Sequence, residues 1–207
     1  HYNMGGVKTD EWCRSRVAGL YACGQSQGGV MGGNRLGSTS LTEIFVFGKR
    51  AGKKAAEESK RRTLADEAAM KEPIDRLHGL FGRKGAHRPV RLKRELQRLM
   101  WEKVGPLRDG PALQETLKAI RDLKKLAADL QVSPEKFYNS EIVDALELGH
   151  MLATAEAITL SAIERRESRG AHVRADFPER DEVNPVVNIV VSAKNGGLEA
   201  SRAEVER

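Results

Sequence analysis

The chain has 207 residues, 40% apolar and 31% charged, with a formal net charge of +6, an ordinary soluble composition for one sizeable domain or two small ones. Its longest apolar runs, Ile44-Phe45-Val46-Phe47 and Val186 to Val191, fall short of the roughly 20 residues a membrane-crossing helix needs, so no span is expected. Cys13 and Cys23 have no Cys-x-x-Cys spacing and no neighbouring His, which argues against a zinc site and a disulfide framework and for a reducing, cytoplasmic setting. The first residue is His1, no signal peptide precedes it, and the chain reads as a piece cut from a longer protein. The positive charge is regional, because Lys49 to Arg98 holds 16 Lys+Arg against 7 Asp+Glu. Such a stretch suits nucleic acid, an anionic membrane face, an acidic partner protein or a solvated helix face; its near lack of aromatics argues against single-stranded nucleic acid.

In chain order, Val17 to Cys23 is a short apolar run bounded by Arg16 and Gly24, and predicts a buried strand. A loop follows. From Ser38 or Thr39, a stripe of Leu41, Ile44, Phe45, Phe47, Gly48, Ala51, Ala55 and Ala56 predicts a helix running to about Ala69, with Glu43 placed for a capping box. Pro73 to Arg88, with glycines at 79, 82 and 85, reads as a polar connection. Three helical patterns come next: Leu92 to Val104, Leu113 to Leu130 and Ile142 to Ala162, each with apolar residues at spacings of three and four. The connections Gly105–Gly110 and Gln131–Asn139 are short enough to make neighbours antiparallel, which predicts a three-helix bundle. Pro111 after Gly110, and Ser133-Pro134-Glu135, are helix-start signals. Beyond Gly170 a proline-punctuated segment leads to Val186–Val191 and an Asn195-Gly196-Gly197 turn, the pattern of a hairpin. The expected architecture is mainly α, a three-helix bundle preceded by the last strand-loop-helix of an α/β domain and followed by a short β segment. The expected division is 1–72, a linker at 73–88, a bundle at 89–171 and an extended tail with the hairpin at 172–207.

A strand, a glycine-dense loop and a helix N-terminus in that order can hold an anion or a cofactor, since free backbone N–H groups and the helix dipole converge there and glycines admit a close approach. The spacing matches neither G-x-G-x-x-G nor a P-loop, so on the residues alone tight helix packing is an equal reading. More specific are His1-Tyr2-Asn3-Met4-Gly5-Gly6, Gly19-Leu20-Tyr21-Ala22-Cys23-Gly24-Gln25, Asn34-Arg35-Leu36-Gly37-Ser38 with Ser40-Leu41, Val46-Phe47-Gly48-Lys49-Arg50-Ala51-Gly52, and Glu167-Ser168-Arg169-Gly170-Ala171-His172 with Asp176-Phe177-Pro178-Glu179-Arg180-Asp181. In this order they resemble the flavoprotein subunits of succinate dehydrogenases and fumarate reductases, a family that includes L-aspartate oxidase.

The resemblance implies an FAD-dependent oxidoreductase that exchanges hydride between flavin and a C4 dicarboxylate and passes electrons to an iron–sulfur subunit, often with a membrane quinone-binding subunit beyond it. It implies a cytoplasmic protein, peripheral on the membrane through those partners. It makes 1–72 the end of the FAD-binding domain, and implies that a piece without the phosphate-binding half holds FAD weakly and does not turn over. By resemblance, His1 and Arg35 contact substrate carboxylates, and Gly24, Gln25, Asn34, Arg35, Ser38, Ser40 and Leu41 face the flavin. Gln25 stands where the family has Glu, Met31 where it has His, and Gly33 where it has Ala; one loop residue is missing between Gln25 and Arg35. His172 and Arg174 read as structural, and no residue reads as a metal ligand. The alternatives are L-aspartate oxidase and a non-enzymatic basic helical module that engages nucleic acid or an acidic partner.

Overall fold

Charged helix faces and short glycine-rich connections lead to five α-helices and two small pairs of strands among residues 2–59 and 67–205, the residues described by this computed structural model. Contacts divide the chain into a first unit, His1–Ala65 with Arg169–Ala171, and a second, Asp66–Ser168 with His172–Arg207.

In the first unit, the run from Val17 to Cys23 is not a strand. Leu20 N–H bonds to Val17 O and Ser15 N–H to Leu20 O, Gly19 has φ of +80°, and Val17 is 62% exposed. The segment is a tight turn whose ladder pairing, among the described residues, is limited to an isolated Arg14–Tyr21 bridge, because apolar composition specifies a strand only where a partner edge takes up its backbone groups. A parallel Val7–Gln27 bridge, with Val7 N–H to Ser26 O and Gly28 N–H to Val7 O, closes the base of the loop. It relies on glycine, since a Cβ on Gly6 would fall 2.5 Å from Ser26 O.

Helix α1, Thr39–Glu58, begins where the residue pattern puts it. Its N-cap Ser38 is left-handed, with φ of +67°, and no side chain caps the first turn. The capping box is therefore absent, and Thr39 Oγ1 donates to Leu36 O instead. The helix stops at Glu58, short of Ala69, with Ser59 extended after the alanine stripe has run out; residues 60–66 of the expected helix lie outside the described residues. Only Glu43 and Ala51 of α1 are buried, while Leu41, Ile44, Phe45 and Val46 are exposed.

The second unit starts with α2, Glu67–His78, where a polar connection from Pro73 was expected. Pro73 removes one helix hydrogen bond, yet the Ala68-Ala69-Met70-Lys71-Glu72 run has strong enough helical preference to carry the helix past it. The bundle consists of α3 (Pro89–Lys103), α4 (Gly110–Leu126) and α5 (Ser140–Glu164). Its core interleaves Leu92 and Leu96 of α3 with Ile120 and Leu123 of α4 and Leu148 and Leu152 of α5. Asp109 caps α4, accepting from Ala112 N–H at 3.0 Å, with Pro111 in the first turn as expected. Ser133-Pro134-Glu135 does not start a helix: Asn139 caps α5 at Glu141 N–H, 3.0 Å, and Ser133 Oγ accepts from Glu135 N–H within the preceding loop. That loop is laced to the 79–88 connection by Val132 N–H to Arg83 O and Gln131 N–H to His87 O.

Two short strands, β1 (Leu107–Arg108) and β2 (Val173–Arg174), pair in parallel beside the bundle. The predicted hairpin is present as β3 (Val187–Lys194) and β4 (Gly197–Glu204). Its loop residues Asn195 and Gly196 both have positive φ, as a two-residue turn that matches strand twist requires.

Candidate functional site

The glycine-rich loop of the first unit brings its chemistry to the start of α1. Gly29, Gly32 and Gly37 face open space where a Cβ would stand, and Gly29 and Gly32 have positive φ. These glycines are therefore used for backbone shape and access, and not for close packing. From this loop Arg35 turns back over the helix start. Its NH1 donates to Ser40 Oγ at 3.2 Å, its guanidinium lies 4.8 Å from the centre of the Tyr2 ring, and its backbone N–H points at Met4 Sδ, 3.1 Å away. Among the described residues no other acceptor meets the guanidinium, so Nε and NH2 remain available to an incoming anion. The α1 terminus adds to the field, because it has no capping side chain and no acidic residue in its first turn.

Of the residues expected to form the site, Arg35 and Ser40 come together and Asn34 lines an adjacent cavity. Ser38 sets the left-handed entry to α1, and Leu41 is 61% exposed one residue beyond Ser40. Gly24 is buried against Ile44 with φ of +68°, whereas Gln25 is exposed on the 3₁₀ turn Gly24–Ser26 and makes no side-chain hydrogen bond among the described residues. His1 lies outside the described residues.

Three features escape a residue-by-residue reading. Tyr2 and Met4 are immediate partners of Arg35. A cavity of about 500 Å³ opens beside the loop, between Val30, Met31, Asn34, Thr42, Glu43 and Phe47. In its wall Glu43 is 4% exposed, and neither carboxylate oxygen has a hydrogen-bond partner among the described residues. The capping-box pattern was the one available signal for Glu43, and it indicated a surface role.

A second polar cluster lies in the second unit and is internally hydrogen-bonded. Arg174, 2% exposed, donates through NH1 to Ala162 O and Arg165 O at the end of α5, and through Nε and NH2 to both oxygens of Asp176, each at 2.7 Å. The Arg174 hydrogen bonds hold the Asp176 carboxyl at about 2. Arg108 NH1 donates to His172 Nδ1 at 2.6 Å, so Nδ1 is bare and Nε2–H donates to Arg165 O at 3.1 Å. Burial, and after it the Arg108 charge, push the imidazole down to about 4 and keep it neutral. These bonds tie Arg174 and His172 to the end of α5.

Some cations of the basic stretch are held in internal pairs. Lys54 meets Glu58, Arg88 meets Glu141, Lys93 meets Asp144, and Arg98 lies between Glu95 and Glu102.

This arrangement has counterparts among known proteins. The family described as fumarate reductase flavoprotein C-term matches residues 93–206, and the family described as FAD binding domain matches residues 1–41. The fumarate reductase flavoprotein subunit of Haemophilus influenzae is 37% identical over 190 residues, covering 89% of this chain and 32% of that protein. The fumarate reductase flavoprotein subunit of Escherichia coli K12 is 36% identical over 192 residues, covering 89% of this chain and 32% of that protein. Among solved structures, E. coli quinol fumarate reductase superposes with a TM-score of 0.89 at 33% identity, covering 99% of this chain and 37% of that one. The Mycobacterium smegmatis Sdh1 structure with UQ1 gives 0.86 at 33%, covering 98% and 35%. The chain thus spans about a third of the length of the curated relatives it matches. By its fold and by the match over residues 93–206, the chain belongs to the fumarate reductase flavoprotein C-terminal family.

Proposed function

We propose that the chain contributes the substrate-facing end of the FAD-binding domain and the helical domain to a succinate dehydrogenase/fumarate reductase flavoprotein subunit. In this reading the whole subunit interconverts fumarate and succinate, exchanges electrons with an iron–sulfur subunit, and through it with a membrane quinone-binding subunit. The observation that carries the reading is Arg35: a guanidinium anchored on Ser40 and Tyr2, with its remaining N–H groups unspent, at an uncapped helix terminus.

The residues present fit a flavin. Glycines 29, 32 and 37 leave a surface that a flat ring can approach, and the first turn of α1, at Ser40 and Leu41, offers backbone N–H groups to the electron-rich pyrimidine edge. The exposed apolar stripe of α1 and the unpartnered Glu43 accord with a helix that the rest of an FAD-binding domain would cover. Bound FAD supplies the two-electron hydride chemistry. The work of this chain is to hold the dicarboxylate in register with it. Arg35 pairs with one substrate carboxylate through Nε and NH2, a fork geometry that fixes orientation as well as charge. Ser40 and Tyr2 restrict the arginine so that little freedom is lost on binding. His1 is assigned to the same carboxylate end of the substrate, and the positive end of α1 favours the negative density that builds up during transfer.

The test uses the intact flavoprotein with FAD bound and a reduced dye as electron donor. Arg35→Ala is expected to lower kcat/KM for fumarate by roughly 100-fold, the cost of about 3 kcal/mol for truncating one partner of a desolvated charge pair. Undiminished fumarate reduction in that variant would reject the assignment, and aspartate-driven turnover in place of succinate oxidation would identify an L-aspartate oxidase.

A further inference from the structure

The segment Arg169–Ala171 belongs to the first unit although it lies more than a hundred residues beyond the rest of it. Among the described residues it meets the glycine-rich loop at Gly33. Ala171 N–H donates to Gly33 O at 2.9 Å, and Gly170, with φ of +60°, lies flat against Gly33. A Cβ on Gly170 would stand 2.1 Å from Gly33 O, 2.4 Å from its carbonyl carbon and 2.9 Å from its Cα. All three are backbone atoms, which no side-chain rotation can move aside. The contact is one-sided: a Cβ on Gly33 would meet Gly170 Cα at 3.6 Å and Arg169 Cγ at 3.8 Å, ordinary van der Waals distances.

Gly33 is two residues from Arg35, so whatever sets the Gly33 carbonyl sets the root of the Arg35 side chain. The contacts of Arg35 with Ser40 and Tyr2 act beyond that root, and its backbone N–H to Met4 Sδ is the other contact made at it. We infer that Gly170 is a positioning residue for the substrate arginine: its missing side chain and the neighbouring Ala171 N–H seat the Gly33 peptide, and through it fix how far Arg35 reaches toward a dicarboxylate. This rests on the carboxylate-binding role proposed for Arg35. Relieving the overlap at Gly170 from 2.1 Å to the 3.0 Å that real Cβ atoms respect displaces the Gly33 carbonyl by about 0.9 Å. A misplacement of about 1 Å in a positioning group costs on the order of 100-fold in rate.

The experiment uses the intact flavoprotein with FAD bound, and compares Gly170→Ala, Gly33→Ala, Arg35→Lys and the Gly170→Ala/Arg35→Lys double variant. Affinity for malonate, a dicarboxylate with no double bond to reduce, is read from the flavin absorbance change, alongside kcat and KM for fumarate, flavin content and melting temperature. Gly170→Ala is expected to keep its flavin and to lose on the order of 100-fold in malonate affinity and in kcat/KM. Gly33→Ala is expected to stay within about threefold of the parent, because its Cβ has room. In the Arg35→Lys background Gly170→Ala should add less than about threefold, since the group it places is already gone. Parent-like malonate affinity in Gly170→Ala, equal damage from Gly33→Ala, or the same loss in both backgrounds would each overturn the inference. If Gly170→Ala does not retain FAD, Ala171→Pro, which deletes the N–H donor to Gly33 O, carries the same expectation, and unchanged malonate affinity there overturns it. Unchanged malonate affinity in Arg35→Lys would instead refute the role of Arg35 itself.

Discussion

Replacing Arg174 with methionine keeps most of the side-chain volume and deletes the guanidinium that ties the end of α5 to Asp176. Five donated bonds disappear, to Ala162 O at 2.8 Å, to Ile163 O at 3.5 Å, to Arg165 O at 3.1 Å and to the two Asp176 oxygens at 2.7 Å. Removing one partner of a buried ion pair costs about 3–5 kcal/mol. Asp176 is 32% exposed on its side chain, so water recovers part of its solvation and the low end, about 3 kcal/mol, is expected. With a urea dependence of about 2 kcal/mol per M, the midpoint of far-UV circular dichroism unfolding should fall by about 1.5 M at pH 7. A pH series adds a second reading. Because Arg174 holds the Asp176 carboxyl at about 2, against an ordinary 3.8, its contribution is fully present above pH 3.8 and is lost as pH falls through 2. The bare shift corresponds to about 2.4 kcal/mol, which solvent screening of a third-exposed group reduces to about 1 kcal/mol. That acid loss should shrink in the variant, where the backbone N–H groups of Gly110 and Asp176 remain on the carboxylate. A midpoint within about 0.3 M of the parent at pH 7, or equal acid losses in both proteins, would refute the reasoning.

His172 is held at about 4 against an ordinary 6.5, chiefly by burial and then by Arg108, so the folded state binds fewer protons than the unfolded one between these values. Stability should therefore decline as pH drops from 6.5 to 4, by about 2 kcal/mol once partial exposure is allowed for, and urea midpoints of His172→Gln should be flatter over that window. Leu148→Ala, at a side chain of zero exposure in the bundle core, should cost about 3–4 kcal/mol by the same unfolding assay, and a loss below about 1 kcal/mol would contradict the packing described. Glu43→Met removes an unpartnered buried carboxyl group from α1 and should slow hydrogen exchange of the α1 amides by the equivalent of about 1–2 kcal/mol; unchanged or faster exchange would count against that burial.

Much of this protein is local in origin. The three bundle helices follow from apolar residues at spacings of three and four, the α4 start from Asp109 and Pro111, and the β3–β4 hairpin from Asn195-Gly196, because helix stripes, caps and two-residue turns depend on neighbours within a few residues. The loop carrying Asn34 and Arg35 was legible in the same way, as glycines ahead of a helix. Tertiary contacts decided the rest. Val17–Cys23 becomes a turn for want of a partner edge, Glu43 exchanges an expected cap for a buried cavity wall, and α2 continues through Pro73. Gly170 meets Gly33, and Arg174 closes the end of α5 on Asp176, through bonds and overlaps that exist only after distant segments are brought together. A residue's neighbours along the chain set its backbone preference, but what covers a side chain, and what it can bond to, depends on segments that no periodicity connects.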